Sequence, residues 1–359
     1  MFDKDELKIL ECTLRDGSYV VDFGFTANDT LLISAALQDV GFDLIETGHG
    51  IGLGATEKGM GVAAATDEAY MKATSEAVDK AKWGMFGIPG IATLDHVKMG
   101  ADYGMDFIRI GTNIDEIDQG RPFVDEAKKH GMSVCCNFMK SYAKSPAFFA
   151  KLAKQAEDFG ADAVYLVDSA GGMLGEHIAE YIDAAMAEIS IPLGYHGHNN
   201  LGLANANALV ACDKGATIID TSLQGFGRSS GNVITEQFIC ALQRKGIDLG
   251  IDPIAVMDIG EKYICPLIPP GGLSTLDMVS GLAQFHSSYI GVIREFSSKY
   301  GVDPRRLIMA VCKENIMDAP RDLVEAKAKD LAEQGLTTEA TTSRFHFERY
   351  HGNEQEKPS

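Results

Sequence analysis

Short apolar runs recur along the chain. Each is followed by a polar or glycine-rich turn and then, in most intervals, by residues with the spacing of an amphipathic helix. The runs are 8–14 (KILECTL), 42–47 (FDLIET), 83–88 (WGMFGI), 107–111 (FIRIG), 133–138 (SVCCNF), 163–167 (AVYLV), 192–197 (PLGYHG) and 217–222 (TIIDTS). Among the helices expected between them are 29–40, 67–80, 146–159 and 205–214. Asn28-Asp29 and Thr66-Asp67 offer N-cap chemistry, and Gly41, Gly131, Gly160 and Gly215 stand where helices should stop. Alternation of strand and helix means parallel strands joined by right-handed crossovers. Eight such units predict an α/β fold, a closed (β/α)8 TIM barrel. An open doubly wound sheet is the alternative, but no GxGxxG follows a strand.

The barrel domain is expected to occupy 1–265. A Pro/Gly break at 264–272 (ICPLIPPGG) introduces a helical C-terminal domain, 266–338, with helical patterns near 275–300, 304–315 and 319–335. Residues 339–359 turn polar and read as a flexible tail.

The 359 residues carry 32 Lys+Arg against 51 Asp+Glu, a formal charge of −19, with no basic run. Nucleic acid and anionic membrane are therefore poor partners. No apolar run is long enough to span a bilayer, and the N-terminus lacks a signal-peptide core, so a cytoplasmic protein is expected. The seven cysteines are odd in number and form no CxxC pair; they read as reduced core residues. The segment 225–231 (GFGRSSG) lacks the GK[ST] ending of a phosphate loop.

Polar residues gather at the C-terminal ends of the expected strands, where barrels of this kind place their active sites. Arg15-Asp16 follow strand 1. Glu46, Thr47 and His49 follow strand 2, Thr112-Asn113 strand 4, Asn137 and Lys140 strand 5, and Asp168-Ser169 strand 6. Strand 7 holds His196 and His198, and strand 8 holds Asp220 and Ser222. Residues two apart on a strand share a face, so both histidines can address one point in the barrel mouth. A metal there needs an anion as well, and Asp16 is the best candidate because strand 1 closes beside strand 8. Such a set suits Mn²⁺, Co²⁺ or Zn²⁺ better than Mg²⁺ and leaves positions for a chelating α-keto acid. Arg15 beside it would stabilise developing enolate charge. Glu46 reads as a brace for Arg15, Asp168 as a loop-bracing or capping carboxylate, and His49 as a loop anchor or a substrate contact. His96, His130, His177, His346 and His351 read as surface residues.

These segments, taken in order, resemble the DRE-TIM metallolyase superfamily of pyruvate aldolases, hydroxymethylglutaryl-CoA lyase and isopropylmalate and homocitrate synthases. The carrying segments are 13–18 (TLRDGS), 45–50 (IETGHG), 167–172 (VDSAGG), 195–202 (YHGHNNLG) and 220–236 (DTSLQGFGRSSGNVITE). Within the superfamily the chain is most similar to the 4-hydroxy-2-oxovalerate aldolases. The resemblance implies a divalent-metal-dependent class II pyruvate aldolase, with Mn²⁺ first and Co²⁺, Mg²⁺ or Zn²⁺ as alternatives. It implies Asp16, His196 and His198 as metal ligands, with Asn232 as an additional one, and Arg15 as the group that steadies the enolate. It places Ser169 by the pyruvate carboxylate, with Phe86 and Ile88 facing the aldehyde; Glu46, beside Arg15, is expected among the substrate-binding residues as well. It also implies an acylating aldehyde dehydrogenase as partner, and the long C-terminal helices lead to the expectation of a homo-oligomer. A Claisen-type acyl-CoA enzyme and a non-catalytic metal-binding barrel are the competing readings.

The chain departs from the aldolase pattern at two places. Tyr19 stands where those enzymes have a catalytic histidine, and His286, in 285–289 (FHSSY), stands where they have a tyrosine. Histidine is the better base near neutrality. The expectation is therefore an exchanged pair, His286 as base and Tyr19 as hydrogen-bond donor or relay. The exchange also points to a more polar aldehyde.

Overall fold

The computed structural model describes residues 1–268, 275–339 and Phe347. His346 and His351, and nearly all of the expected tail, lie outside the described residues.

Eight parallel strands close in sequence order: β1 (Lys8–Glu11), β2 (Leu44–Thr47), β3 (Lys82–Gly87), β4 (Phe107–Asn113), β5 (Ser133–Met139), β6 (Ala163–Asp168), β7 (Leu193–Gly197) and β8 (Ile218–Thr221). β8 pairs back onto β1 with Asp220 beside Leu10. Each expected apolar run overlaps one strand, with β3 starting one residue before its run and β4, β5 and β6 ending one or two residues after theirs. The largest difference is at β1, which ends at Glu11 so that Thr13–Asp16 form one helical turn carrying Arg15 and Asp16 over the barrel mouth.

Side-chain parity follows the pleat. Leu10, Leu44, Phe107, Cys135, Ala163, Tyr165 and Ile218 fill the lower barrel, while Ile9, Ile45, Ile108, Val134, Val164 and Ile219 face the helices. Gly197 lets this parity work at β7. A Cβ there would sit 2.3 Å from the Tyr195 hydroxyl, so only glycine leaves room for that outward ring between the two inward histidines.

The helix Ala27–Asp39 begins two residues earlier than the 29–40 expected. Its cap is Thr26, whose hydroxyl accepts from Asp29 N (3.1 Å) while Asp29 accepts from Thr26 N (2.8 Å), a reciprocal capping box. Asp29 therefore completes the cap from the third helical position.

The C-terminal helices have their own apolar core, built on Leu276, Phe285, Ile293, Leu307 and Val324. The expected 275–300 helix is broken. Thr275–Ala283 stops at Gln284, whose φ is +57°, and Ile290–Tyr300 follows a short turn, Ser287–Tyr289. This break brings His286 to the barrel mouth. It is held there by a close backbone approach, since a Cβ on Gly172, in the loop after β6, would lie 2.1 Å from Gly281 O. All seven cysteines are free; four are buried and Cys265 is exposed. Among the described residues no helix is long and apolar enough to cross a membrane.

Candidate active site at the barrel mouth

Asp16, His196 and His198 meet as the sequence pattern expects. Each offers a ligand atom within 4.8 Å of the others, and all three are buried. Each is also oriented from behind. Asp16 Oδ1 accepts from Arg15 Nη1 (2.7 Å) and Asp16 Oδ2 from Asn232 Nδ2 (2.6 Å). His196 Nδ1 meets Asp220 Oδ2 at 2.7 Å, which leaves Nε2 for the centre of the triangle. His198 Nδ1 meets Gly231 O at 3.3 Å, which turns its Nε2 toward the triangle, where Arg228 Nη2 approaches it at 2.7 Å. Burial alone would raise the Asp16 carboxyl, but Arg15 and the two imidazoles outweigh it and hold it well below the usual carboxylate range. The anion is thus present at any working pH.

These residues fit a divalent metal. The donors are one carboxylate and two imidazole nitrogens with fixed ring orientations, and the buried Asn232 Oδ1 has no hydrogen-bond partner among the described residues. Gly227 keeps that corner open, because a Cβ there would lie 1.8 Å from Asn232 Oδ1. Two other clusters fit less well. Cys12, His196 and Asp220 also converge, but burial pushes the Cys12 thiol far up, so it stays protonated. Glu57, Asp67 and His96 lie outside the cavity, and Asp67 is already occupied by Gly54 N at 2.7 Å.

Beneath the triangle runs a chain of buried charges. Arg15 Nε donates to Glu46 Oε2 (2.8 Å), and the same oxygen accepts from Arg109 Nη1 (2.8 Å). Arg109 Nη2 donates to Asp220, which holds His196. Asp16, Arg15, Glu46, Arg109, Asp220 and His196 therefore form one relay of alternating sign from one prospective ligand to the next. The Arg109 guanidinium also lies 4.4 Å over the Tyr165 ring. Glu46 is fully buried and does not line the cavity. Its expected place at the substrate is corrected: its Oε2 is spent on Arg15 and Arg109, and it braces both.

The cavity itself, about 200 Å³, opens above the triangle and is lined by Arg15, Asp16, His196 and His198. Phe86 and Ile88 line it with Ile51, Met60 and Ile91 as an apolar wall, and Arg15 lies 5.0 Å over the Phe86 ring. Ser169, Tyr19 and His286 line it too, so both members of the exchanged pair reach the same space. His286 Nδ1 meets Ser288 Oγ at 2.8 Å and the Ser288 N–H at 3.2 Å. Donation to Oγ would leave Nε2 with a bare lone pair. Acceptance from the N–H would make Nε2 a donor instead. Burial, then Arg228 and Lys140, push the imidazole well below its usual value, so it is neutral near pH 7.

His49 is a loop anchor. Its Nδ1 accepts from Ile51 N (3.1 Å), its ring stacks on Phe23 at 3.9 Å, and it does not line the cavity. Asp168 braces the loop after β6, accepting from Gly172 N (3.2 Å) and Met173 N (2.9 Å).

Two residues were not singled out by sequence reasoning. Arg109 lay inside an apolar run, and its inward parity was the available signal. Arg228 lay in the loop set aside as a failed phosphate motif; it was the one cation of that segment. It is buried, lines the cavity, and places Nη2 2.7 Å from His198 Nε2 and 3.0 Å from Ser169 O.

Comparison with known proteins finds relatives over nearly the whole chain. The chain is 36% identical to 4-hydroxy-2-oxovalerate aldolase 2 of Rhodococcus jostii (strain RHA1) over 336 residues, covering 93% of this chain and 98% of that one. It is 34% identical over 328 residues to the 4-hydroxy-2-oxovalerate aldolase of Carboxydothermus hydrogenoformans, covering 91% and 98%. The carboxyl transferase domain of Rhizobium etli pyruvate carboxylase, solved with pyruvate, superposes with a TM-score of 0.75 at 16% identity, covering 94% of this chain and 63% of that chain; this likeness concerns the fold. Residues 6–262 match the HMGL-like family, relatives of near-equal length share more than a third of its residues, and the chain belongs to that family.

Proposed function

We propose that this chain is a divalent-metal-dependent class II pyruvate aldolase, a carbon–carbon lyase that reversibly cleaves a 4-hydroxy-2-oxo acid to pyruvate and an aldehyde. The observation that carries the reading is Arg15 and the Asp16/His196/His198 triangle opening together onto one cavity. Identity above one third with 4-hydroxy-2-oxovalerate aldolases supports it. Asp16, His196 and His198 would hold the ion, Mn²⁺ by first choice with Co²⁺, Mg²⁺ or Zn²⁺ as alternatives, and Asn232 Oδ1 is the further donor. Bound there, a divalent ion supplies Lewis-acid polarisation of the 2-oxo group.

The protein's own groups do the rest. Arg15 spends Nε on Glu46 and Nη1 on Asp16, which leaves Nη2 without a protein acceptor among the described residues. That fixed N–H pair is preorganised for the oxygen that becomes anionic as the enolate forms. Cleavage removes the 4-hydroxyl proton, breaks the C3–C4 bond and places its electrons on the C2 oxygen; protonation at C3 then gives pyruvate. We assign the C4 proton to His286, acting through Nε2 when Nδ1 donates to Ser288 Oγ, with Tyr19 as the donor or relay beside it. Ser169 takes the pyruvate carboxylate, and Phe86 and Ile88 face the aldehyde. An aldehyde-consuming partner, an acylating aldehyde dehydrogenase, and a homo-oligomer belong to the same reading, as does a division into a barrel unit, 1–265, and a helical unit, 266–338.

The test is pyruvate release from 4-hydroxy-2-oxopentanoate with each metal, together with C3 proton exchange of pyruvate in D₂O. His286→Ala should slow cleavage by about 10²- to 10⁴-fold, and Ser288→Ala should shift the pH profile of cleavage. Absence of both cleavage and exchange with all four metals would overturn the reading.

A further inference from the structure

Arg228 and Lys140 share one wall of the cavity. Arg228 Nη1 donates to Ser287 Oγ (2.5 Å), and Nη2 faces Ser169 O and His198 Nε2. Lys140 Nζ donates to Tyr289 Oη (2.8 Å) and Met317 O (3.0 Å) and lies 5.0 Å over the Tyr289 ring. Both residues are at least nine-tenths buried. Among the described residues neither has a carboxylate within ion-pair distance; Asp318, Asp115 and Glu116 act on Lys140, and Asp16 on Arg228, only from farther away. All their partners are neutral.

A buried cation without an anion is unfavourable unless a ligand supplies the charge. Arg15 is different, because Asp16 and Glu46 already neutralise it. The carboxylate of a 2-oxo acid can offset only one of the two remaining cations, and a divalent ion at the triangle would add to the positive excess. One further feature marks this wall as a binding surface. Asn137 lines the cavity with its buried Oδ1 unpartnered.

Resting on the aldolase reading, we propose that the physiological substrate is a dianion: a 4-hydroxy-2-oxo acid whose aldehyde half carries a second anionic group, carboxylate or phosphate, held by Lys140, while Arg228, beside Ser169 and His198, meets the 2-oxo acid's own carboxylate. The apolar wall of Phe86, Ile88 and Ile51 then packs against the carbon chain, and the cationic wall selects its charged end.

The experiment is condensation of pyruvate with chain-matched aldehydes on the metal-loaded protein: succinic semialdehyde against butanal, and glyceraldehyde 3-phosphate against glyceraldehyde. The kcat/KM ratio of the anionic to the neutral member should exceed tenfold for at least one pair, and the pair that shows it distinguishes carboxylate from phosphate. Lys140→Gln should reduce that ratio at least tenfold, a readout unaffected by the fraction of folded protein, whereas Arg228→Gln should raise KM for pyruvate alike with both members of a pair. A preference for both neutral aldehydes, or a ratio unchanged in Lys140→Gln, overturns the dianion while leaving the aldolase reading intact. No condensation with any of the four aldehydes, together with no C3 exchange of pyruvate, overturns the aldolase reading itself. A calorimetric arm is independent of turnover. The protein should bind 2-oxoadipate at least tenfold more tightly than 2-oxohexanoate, and equal affinities count against the dianion.

Discussion

On the wall of the barrel mouth built by β1, β2, β4 and β8, each buried charge meets an opposite one, from Asp16 through Arg15, Glu46 and Arg109 to Asp220. On the facing wall, built by β5, β6, the loop after β8 and the C-terminal turn, Arg228 and Lys140 meet only neutral atoms. The first wall is complete without a ligand and has the rigidity that metal ligands need. The second is complete only when something anionic enters. One cavity thus combines a preorganised centre with a side that selects its occupant.

The largest effect should come from breaking the first wall at the metal. Asp16→Asn removes the anion of the triangle, and both retained metal and turnover should fall, turnover by on the order of 10³-fold. Arg228→Gln removes a like charge from beside His198 and should leave metal content at or above that of the parent. Metal analysis after gel filtration reads both. Equal metal loss in the two variants would show that the walls do not differ in this way.

Next in size is the stability contrast. Arg109→Met leaves Glu46 and Asp220 facing each other's neighbourhood without their shared cation, and should cost about 3–5 kcal/mol in denaturant unfolding. Lys140→Met deletes a cation that has no buried anion to abandon, and should cost little or stabilise. A similar loss for both would mean that Lys140 is structural rather than poised for a ligand.

How much of this could be read from sequence differs between the walls. The eight strands were legible because apolar runs and capping residues repeat with a fixed rhythm. The triangle was legible because two histidines at a spacing of two must share a face, and because Arg15-Asp16 follows the strand that closes the barrel. Arg109 was hidden, since an apolar run masks a single charge whose partners, Glu46 and Asp220, lie 63 and 111 residues away. The break at Gln284 was hidden as well. Helical periodicity continues across it, and only the packing of Gly281 on the loop after β6 decides that the chain must turn and present His286. Asp29 shows the same limit on a smaller scale: its type fitted a helix start, but the cap it completes belongs to Thr26.

The smallest expected effect separates two carboxylates of the site, one from each wall. Asp16 is held far below the carboxylate range by Arg15. Asp168 is fully buried with backbone N–H groups as its partners, and burial outweighs them, pushing it up to about 6 from 3.8. A carboxyl that binds its proton more tightly in the folded chain stabilises most at low pH. Its contribution is complete below about 4 and is lost as pH rises through about 6, amounting to at most about 3 kcal/mol. Asp16 has the opposite sign, and its contribution is lost only in stronger acid. Asp168→Asn keeps one acceptor for Met173 N and does not titrate, so unfolding free energy measured between pH 4 and pH 7 should vary less with pH than in the parent. The same slope in parent and variant would mean that the N–H groups around Asp168 outweigh its burial, and that it stands ionised, like Asp16, throughout this window.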